Sequence, residues 1–467
     1  MPKAPQVLME EETHIVSSDQ GESSSAISLS AQAANAYEAR VSAPFKERLS
    51  WAFFDFANSS YSTVVSTTIF SAYFVSTIAG KVPGLAAGQA TLLWTITVAI
   101  ANGIVLLMAP IVGTLADTSG SKKKFLAITA LGCFIFTAML SMTQPGGIAF
   151  GMIIMILSNT MFCAGENIAA AFLPEIAAPA EMGRVSALGW TVGYIGGLLS
   201  LGISLAYVTW AHAHGMVETQ YVPHTMLIAA GLFGLGTLPL FLFLKERARP
   251  QPLKAGETLL NAGFKRLAHT FQNAKQYEDL FRFLFTLLVY NSGIATVIVI
   301  ASVYAQQVMG FTTSDTIVMI LVVNITAAIG AYVFGFVQDK IGSVKTIYIT
   351  LALWITATVM AYFTESRIVF WLLANLIGIA MGSSASAGRA LIGHFSPPGR
   401  SGEFFGLWGL AIKMSAITGP MTYGLISYLT AGNQRLAILS TVIFFVTGAA
   451  LLATVNEKRG KEAALAD

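Results

Sequence analysis

Charge is scarce in this chain. Asp, Glu, Lys and Arg make up 11% of its 467 residues, against about 25% in an ordinary soluble domain. A water-facing surface cannot be built from so few charges, and lipid is the solvent that tolerates the shortfall. Cysteine is nearly absent. Cys133 and Cys163 sit in apolar runs, offer neither a disulfide framework nor metal-ligand spacing, and read as small hydrophobes. Net charge is small as well, +3, so it predicts no nucleic-acid partner. No cluster of nucleophile, base and metal ligands gathers near one leaflet, so a polytopic membrane enzyme is disfavoured and no cofactor is expected. His212, His214 and His224 share one loop, but without cysteines or carboxylates in tight spacing they read as loop histidines and not as a metal site.

What the chain does have is apolar length. It is 55% hydrophobic with a mean hydropathy of +0.67. A spanning helix needs about 20 apolar residues. Runs of that kind fall at 51–78, 91–114, 125–143, 148–168, 185–209, 225–244, 281–308, 316–337, 346–363, 368–392, 404–429 and 436–455. The fold class is therefore all-α membrane protein, with twelve transmembrane helices in two pseudo-symmetric six-helix bundles. Lys and Arg set the orientation. With the N-terminus in the cytoplasm, the outward loops hold only Lys81, Arg367 and Arg435, while Lys122 to Lys124, the Lys245–Arg282 stretch, Lys340, Lys345, Arg400, Lys458 and Arg459 fall inside. The expected organisation is a disordered cytoplasmic tail over 1–50, a bundle over 51–244, a basic cytoplasmic linker over 245–280, a second bundle over 281–456 and a short tail over 457–467. The linker is partly amphipathic through Leu259, Phe264, Leu267 and Phe271. It reads as a surface helix at the headgroups or as a plain connector. The expected location is the cell inner membrane, multi-pass, with both termini cytoplasmic.

The two halves echo each other. After the second span stands Gly113-Thr-Leu-Ala-Asp117-Thr-Ser-Gly120-Ser-Lys-Lys123; after the eighth stands Gly335-Phe-Val-Gln-Asp339-Lys-Ile-Gly342-Ser-Val-Lys345. Both read G-x-x-x-D-x-x-G-x-x-K. Asn58-Ser59 with Thr63-Val64 is matched by Asn291-Ser292 with Thr296-Val297, in the same order and at a similar offset, which points to duplication. The repeated segment has a physical logic. The first glycine lets a neighbouring helix approach. The aspartate can accept from helix N-terminal amides or pair with a cation. The second glycine permits a tight turn, and the lysine sits at the anionic leaflet. These residues, with Arg184 and Arg389, are the expected conformational gate.

This pattern with this topology resembles the major facilitator superfamily, over about Trp51 to Asn456. A narrower likeness joins it. Trp51-Ala-Phe-Phe-Asp55-Phe-Ala-Asn58-Ser-Ser-Tyr61, Ala171-Phe-Leu-Pro174-Glu175-Ile with Gly183-Arg184 to Gly189-Trp190, and Tyr290-Asn291-Ser292-Gly293 resemble segments of the autophagy-related vacuolar amino-acid effluxer family and its bacterial relatives. Ser292 replaces an aspartate of that family, which puts any coupling role of that carboxylate in doubt here. The resemblance implies helices 1, 4, 7 and 10 around a central cavity that opens alternately to the two sides. It also points to amino acids or small peptides as cargo, and to export.

Charged groups inside lipid cost at least about 2.5–3.5 kcal/mol each, so they face the interior and invite a functional reading. Asp55, Asn58 and Tyr61, at i, i+3 and i+6, are expected near one face of helix 1, with a terminal structural role for Asp55 as the alternative. Asn159, Cys163 and Glu166 share a face of helix 4. Glu166 is expected either to exchange a proton or to pair with Arg184 or Arg389. Lys413, within helix 11, is expected to hold a substrate carboxylate or to neutralise Asp55 or Glu166. Tyr290, Asn291 and Asn375 complete the substrate or coupling set, while Ser383 and Ser386 lie in a small-residue seam suited to packing. The expected function is secondary active transport of a small polar solute by alternating access. Its partners are a small-molecule substrate, a coupling proton and membrane lipid, and the chain is expected to be a monomer. A lipid or lipid-linked precursor transporter on the same fold is the alternative.

Overall fold

The computed structural model describes residues 40–83, 89–247, 258–272, 275–311, 313–430 and 433–466. Residues 1–39 of the expected tail and residues 248–257 and 273–274 of the linker lie outside these residues. The described chain is helical throughout: α1 (Phe45–Ala79), α2 (Gln89–Ser119), α3 (Lys122–Met139), α4 (Ile148–Ala170), α5 (Met182–Ala213), α6 (Glu218–Phe243), α7 (Glu278–Gln307), α8 (Thr313–Ile341), α9 (Ser343–Phe363), α10 (Arg367–Phe395), α11 (Ser401–Leu429) and α12 (Gln434–Leu452). A linker helix (Leu259–Gln272) and a C-terminal helix (Glu457–Leu465) complete the set.

Ten of the described helices are long and apolar enough to cross a membrane. The pair Ile96–Met108 and Ile111–Ser119 within α2, bent by 43°, makes an eleventh. Pro110 stands between those two pieces, and a proline there removes a ladder donor, which kinks a helix. α11 is 29 residues long but falls outside that set. It carries Lys413 and a run of Ser, Thr and Gly that lower its hydropathy. Large apolar side chains such as Leu107, Leu235, Leu242, Phe363 and Leu372 are exposed around the outside, an arrangement that suits lipid and not water.

The first helix starts earlier than the sequence reading placed it. Its amphipathic first turns, Phe45-Lys-Glu-Arg-Leu, have too many charges to count in an apolar window, yet Glu47 is buried. Glu47 accepts from Lys245 N at 2.9 Å and from the Arg247 guanidinium. Ahead of it, Ala43 N donates to Ile176 O at 2.9 Å and Arg40 Nη2 to Pro174 O at 3.1 Å. Residues 40–44 thus strap the end of α1 to the α4–α5 connection.

Packing repeats between the two sets of six helices. α1 packs on α5 and α6 as α7 packs on α11 and α12. α2 lies on α4 as α8 lies on α10. α3 touches α4 and α6 as α9 touches α10 and α12. The sets then meet through α2 against α11 and, in mirror fashion, α5 against α8. The C-terminal helix lies across α7 and α10. Arg459 pairs with Asp279 at 2.6 and 2.8 Å, and Glu457 accepts from Val344 N at 3.1 Å.

Candidate functional site

Two layers of polar contacts join the halves. The first lies at the end of the molecule that carries the duplicated turns. Asp117, 2% exposed, accepts from Gly402 N at 3.0 Å and Glu403 N at 2.9 Å, the first amides of α11. Asp339 accepts from Gly183 N at 2.9 Å and Arg184 N at 3.3 Å, the first amides of α5. Each aspartate therefore caps a helix of the opposite half, where orphan amides and the helix dipole favour an anion. Gly120 and Gly342 turn the chain just after them at φ +58° and +90°, a region that favours glycine.

Glycine also sets how closely the halves meet. A Cβ on Gly113 would lie 1.9 Å from the Gly402 carbonyl oxygen, and one on Gly335 would lie 2.4 Å from Ala187 Cβ. Backbones can meet so closely only where at least one of them carries no side chain, and at Gly113 and Gly402 neither does.

The two copies neutralise their aspartates differently. Asp339 pairs with Arg184 of the other half at 2.7 Å. Asp117 pairs with Lys122 of its own loop at 2.9 Å, and Lys122 also reaches Glu175 at 2.6 Å and Ser401 Oγ at 2.6 Å. Lys123, the lysine in the motif register, instead donates to Leu244 O at 2.6 Å, while Lys345 is exposed. Lys122 is fully buried, so Lys122→Met strips the compensation from two carboxylates at once. It is expected to cost about 3–5 kcal/mol, visible as a lowered unfolding temperature of the purified protein; an unchanged temperature rules that role out.

Beside these capped helix ends, Glu403 accepts from Arg400 at 3.0 Å and also from Thr270 of the linker helix. The sequence reading left the linker as a headgroup helix or a connector. In the structure it is also tied, through Thr270, to the start of α11.

The second layer lies deeper. Lys413 is twelve residues into α11, roughly 18 Å from its start, near the middle of a core about 30 Å thick. Asp55 of α1 pairs with Arg389 of α10 at 2.7 Å. Arg389 also donates to Ser186 O at 2.6 Å and Ser186 Oγ at 3.2 Å. Its guanidinium stacks between Trp51 and Trp190, 4.9 and 5.2 Å from the ring centroids. Arg389 belongs to one half and all of these partners to the other, so this is a cross-half clamp.

Glu166 is placed otherwise than as a partner of Arg184 or Arg389. Arg184 is engaged by Asp339 and Glu181, and Arg389 by Asp55. Glu166 of α4 feels the charge of Lys413 of α11 first, and those of Asp55 and Arg389 after it, while the Cys163 thiol stands within hydrogen-bonding reach of the Lys413 ammonium. Both charged groups are partly accessible. Among the described residues no ion pair within 4.0 Å joins the Glu166 carboxylate or the Lys413 ammonium to anything. Opposite charges held near each other in a greasy interior without closing on each other leave room for a third party, since burying them apart is costly. Nearby, Asn167 lies against Gly409 of α11 with its Nδ2 unpartnered. Asn58, one turn beyond Asp55, is 6% exposed and has neither amide atom bonded.

Other expected site residues sit apart. Tyr61 turns into the first half. It stacks on Phe162 at 4.6 Å, its hydroxyl lies 3.9 Å from Met155 S, and the Ser158 and Ser66 hydroxyls of the same half lie close to it. At i+6 a helix has rotated Tyr61 about 120° away from Asp55, so the two do not share a face. Tyr61→Phe is expected to change transport by less than about two-fold, because the hydroxyl's neighbours all belong to the first half and none lies between the halves; a larger loss of uptake would place the hydroxyl in the transport path. Asn291 donates to Ser415 Oγ at 2.6 Å and Asn375 to its own helix at Trp371 O, 2.8 Å. Asn159 is buried. Tyr290 is buried with an unpartnered hydroxyl, and Ser383 bonds within its helix. Lys122, Glu175, Asn167, Ser186 and the two tryptophans around Arg389 were not singled out as site residues in the sequence. Lys122 was hidden in a run of three lysines, and Trp51 and Trp190 entered only within the segments that carry the family resemblance.

Twelve long helices paired in mirror fashion, capped across the halves at one end and charged between the halves inside, define a membrane transporter of the major facilitator type. Solved structures agree on the fold. The human organic anion transporter MFSD10 superposes with a TM-score of 0.67 over 88% of this chain and all of that one. The proton:xylose symporter XylE does so at 0.68 over 92% and 98%, each at 15% identity. More narrowly, the chain belongs to the family described as Vacuole effluxer Atg22 like, which matches residues 44–465. It is 29% identical over 415 residues to the uncharacterized MFS-type transporter YxiO of Bacillus subtilis, covering 88% of this chain and 95% of that one. It is 26% identical over 311 residues to Autophagy-related protein 22 of Yarrowia lipolytica. The chain spans about half the length of the Autophagy-related protein 22 relatives it matches.

Proposed function

We propose that this protein is a secondary active transporter that carries a small polar solute between its two halves by alternating access. In this reading the twelve long helices are twelve spans in two six-helix bundles, joined by the 245–280 linker, with both ends of the chain in the cytoplasm of an inner membrane. The observation that carries the reading is the Glu166–Lys413 pair: two opposite charges, on helices of different halves, near mid-depth and not closed on each other. A solute bearing complementary polar groups would bridge them. Asn167 and Asn58, with unsatisfied amide groups, supply further donors and acceptors.

The transport cycle follows from the contacts. With Asp117 and Asp339 capping α11 and α5, the duplicated-turn end is shut. Opening it must release both caps and part Asp55 from Arg389, since each of these contacts crosses between halves. A proton on Asp55 or Glu166 removes a charge from this layer and biases which end is open, because a ligand shifts an equilibrium by its differential affinity for the two states. Coupling to a proton is therefore part of the proposal. The family's description as an effluxer favours export, and amino acids or small peptides are the cargo to try first.

The test is uptake and efflux of amino acids, peptides, organic acids and sugars in proteoliposomes, with and without an imposed pH gradient. The expected result is one solute class whose flux responds to the gradient. Flux of that solute unaltered by the gradient removes the proton from the scheme. A lipid flipped between leaflets, with no soluble solute moved, replaces the reading altogether.

A further inference from the structure

A pocket lies away from the central charges, at the end of the molecule opposite the duplicated turns. It is a cavity of about 240 Å³ between α1, α5 and α6. α1 ends at Ala79, α5 at Ala213 and α6 begins at Glu218, so its mouth is at the chain ends of these helices, beside the exposed α5–α6 connection. One wall is aliphatic: Leu201, Leu205 and Val208 of α5. The rest is not. Tyr73 is 4% exposed, yet its hydroxyl has no partner among the described residues. Tyr221 contributes a second ring, 7% exposed. Glu218 stands exposed at the rim and accepts a single hydroxyl, Thr77 Oγ1, at 2.5 Å. Among the described residues no cation lies within 4.0 Å of that carboxylate. The stretch of α1 opposite, Phe74–Ala79, is π-helical, a rare local form that often marks functional positions.

These features call for one kind of ligand. A carboxylate at the mouth and two aromatic rings in the lining select a cation, by charge-assisted hydrogen bonding and by attraction to the rings. The aliphatic wall behind them selects a chain. An alcohol would satisfy Tyr73 and leave Glu218 unanswered; a fatty acid would meet Glu218 with like charge. We propose that this pocket binds a single-chain amphipathic amine, its chain along Leu201, Leu205 and Val208 and its ammonium on Glu218. The site is independent of the central solute path.

The test is photolabelling of the full-length protein in nanodiscs with an octylamine-type probe that carries a diazirine on its chain, followed by mass-spectrometric mapping. Labels are expected on α1, α5 and α6 around this pocket, displaced by octylamine and not by octanol or octanoate. Glu218→Gln is expected to lower labelling about ten-fold, the loss of one charged contact. Leu205→Trp, which fills the chain slot and keeps the carboxylate, is expected to abolish it; this variant and the competition series decide the matter if Glu218→Gln does not fold. Equal labelling of Glu218→Gln and the parent protein overturns the proposal, as does undiminished labelling of Leu205→Trp. Octanol competing as well as octylamine, or a short-chain phosphatidylethanolamine displacing the probe where octylamine does not, overturns it as well.

Discussion

Glu166→Gln and Lys413→Met are each expected to lower the initial rate of solute uptake into proteoliposomes by about 100-fold. Each variant keeps the shape of its side chain and removes the charge. In the parent protein both charges are partly withdrawn from water and neither is closed on an opposite charge, so a bridging solute gains two charge-assisted contacts at once. Losing one such contact costs up to about 3 kcal/mol, which converts to roughly 100-fold. The two variants should not behave alike in every respect. Lys413→Met leaves a carboxylate that can still take a proton, whereas Glu166→Gln removes a titrating group. If Glu166 carries the proton, residual transport by Glu166→Gln no longer responds to an imposed pH gradient, and that of Lys413→Met still does. Asp55→Asn distinguishes the remaining carboxylate: Arg389 keeps its bonds to Ser186 and its place between Trp51 and Trp190, so folding should survive. Full uptake in all three variants, with an intact gradient response, would leave the central layer with a structural role only.

Gly402→Leu is expected to prevent the duplicated-turn end from closing. The backbones of α2 and α11 meet there at Gly113 and Gly402. A Cβ on Gly402 would already lie 2.5 Å from the Gly113 carbonyl oxygen and 2.9 Å from Asp117 Oδ1. Backbone cannot be moved aside as a flexible side chain can, so the overlap falls on the closed state alone. The two states then exchange rank, and the closed arrangement drops to the share of a minor state, about 10% or less. Spin labels on K124C and K345C, which stand exposed at that end in opposite halves, report it as a shift of the distance distribution to longer separations. Transport falls with it, because a transporter that cannot shut one end cannot alternate. An unshifted distribution in Gly402→Leu would mean that this contact is not the closing surface.

Much of this was legible in the sequence for a physical reason. Apolar run length, the position of Lys and Arg, and a repeated G-x-x-x-D-x-x-G-x-x-K are local properties. Lipid enforces the first two, and duplication copies the third. So the helices, their approximate limits and the importance of Asp117 and Asp339 could be stated without coordinates. Local pattern served less well at helix ends. The first turns of α1 are charged, and only the burial of Glu47 against Lys245 and Arg247 shows why they are helical.

Tertiary structure alone decided the partners. Asp117 meets Gly402 and Glu403, Asp339 meets Gly183 and Arg184, and Asp55 meets Arg389 across 334 positions of sequence. No periodicity encodes such a pairing, because it depends on which faces two separately folded halves turn toward each other. The same holds for Lys122 against Lys123. Adjacent residues on a helix point about 100° apart, and only the packed neighbours show which one enters the gate. The sequence by itself determined a duplicated helical membrane protein with acidic turns at one end. Packing of the two halves decided which charges are paired and which, at Glu166 and Lys413, are left without an ion pair among the described residues.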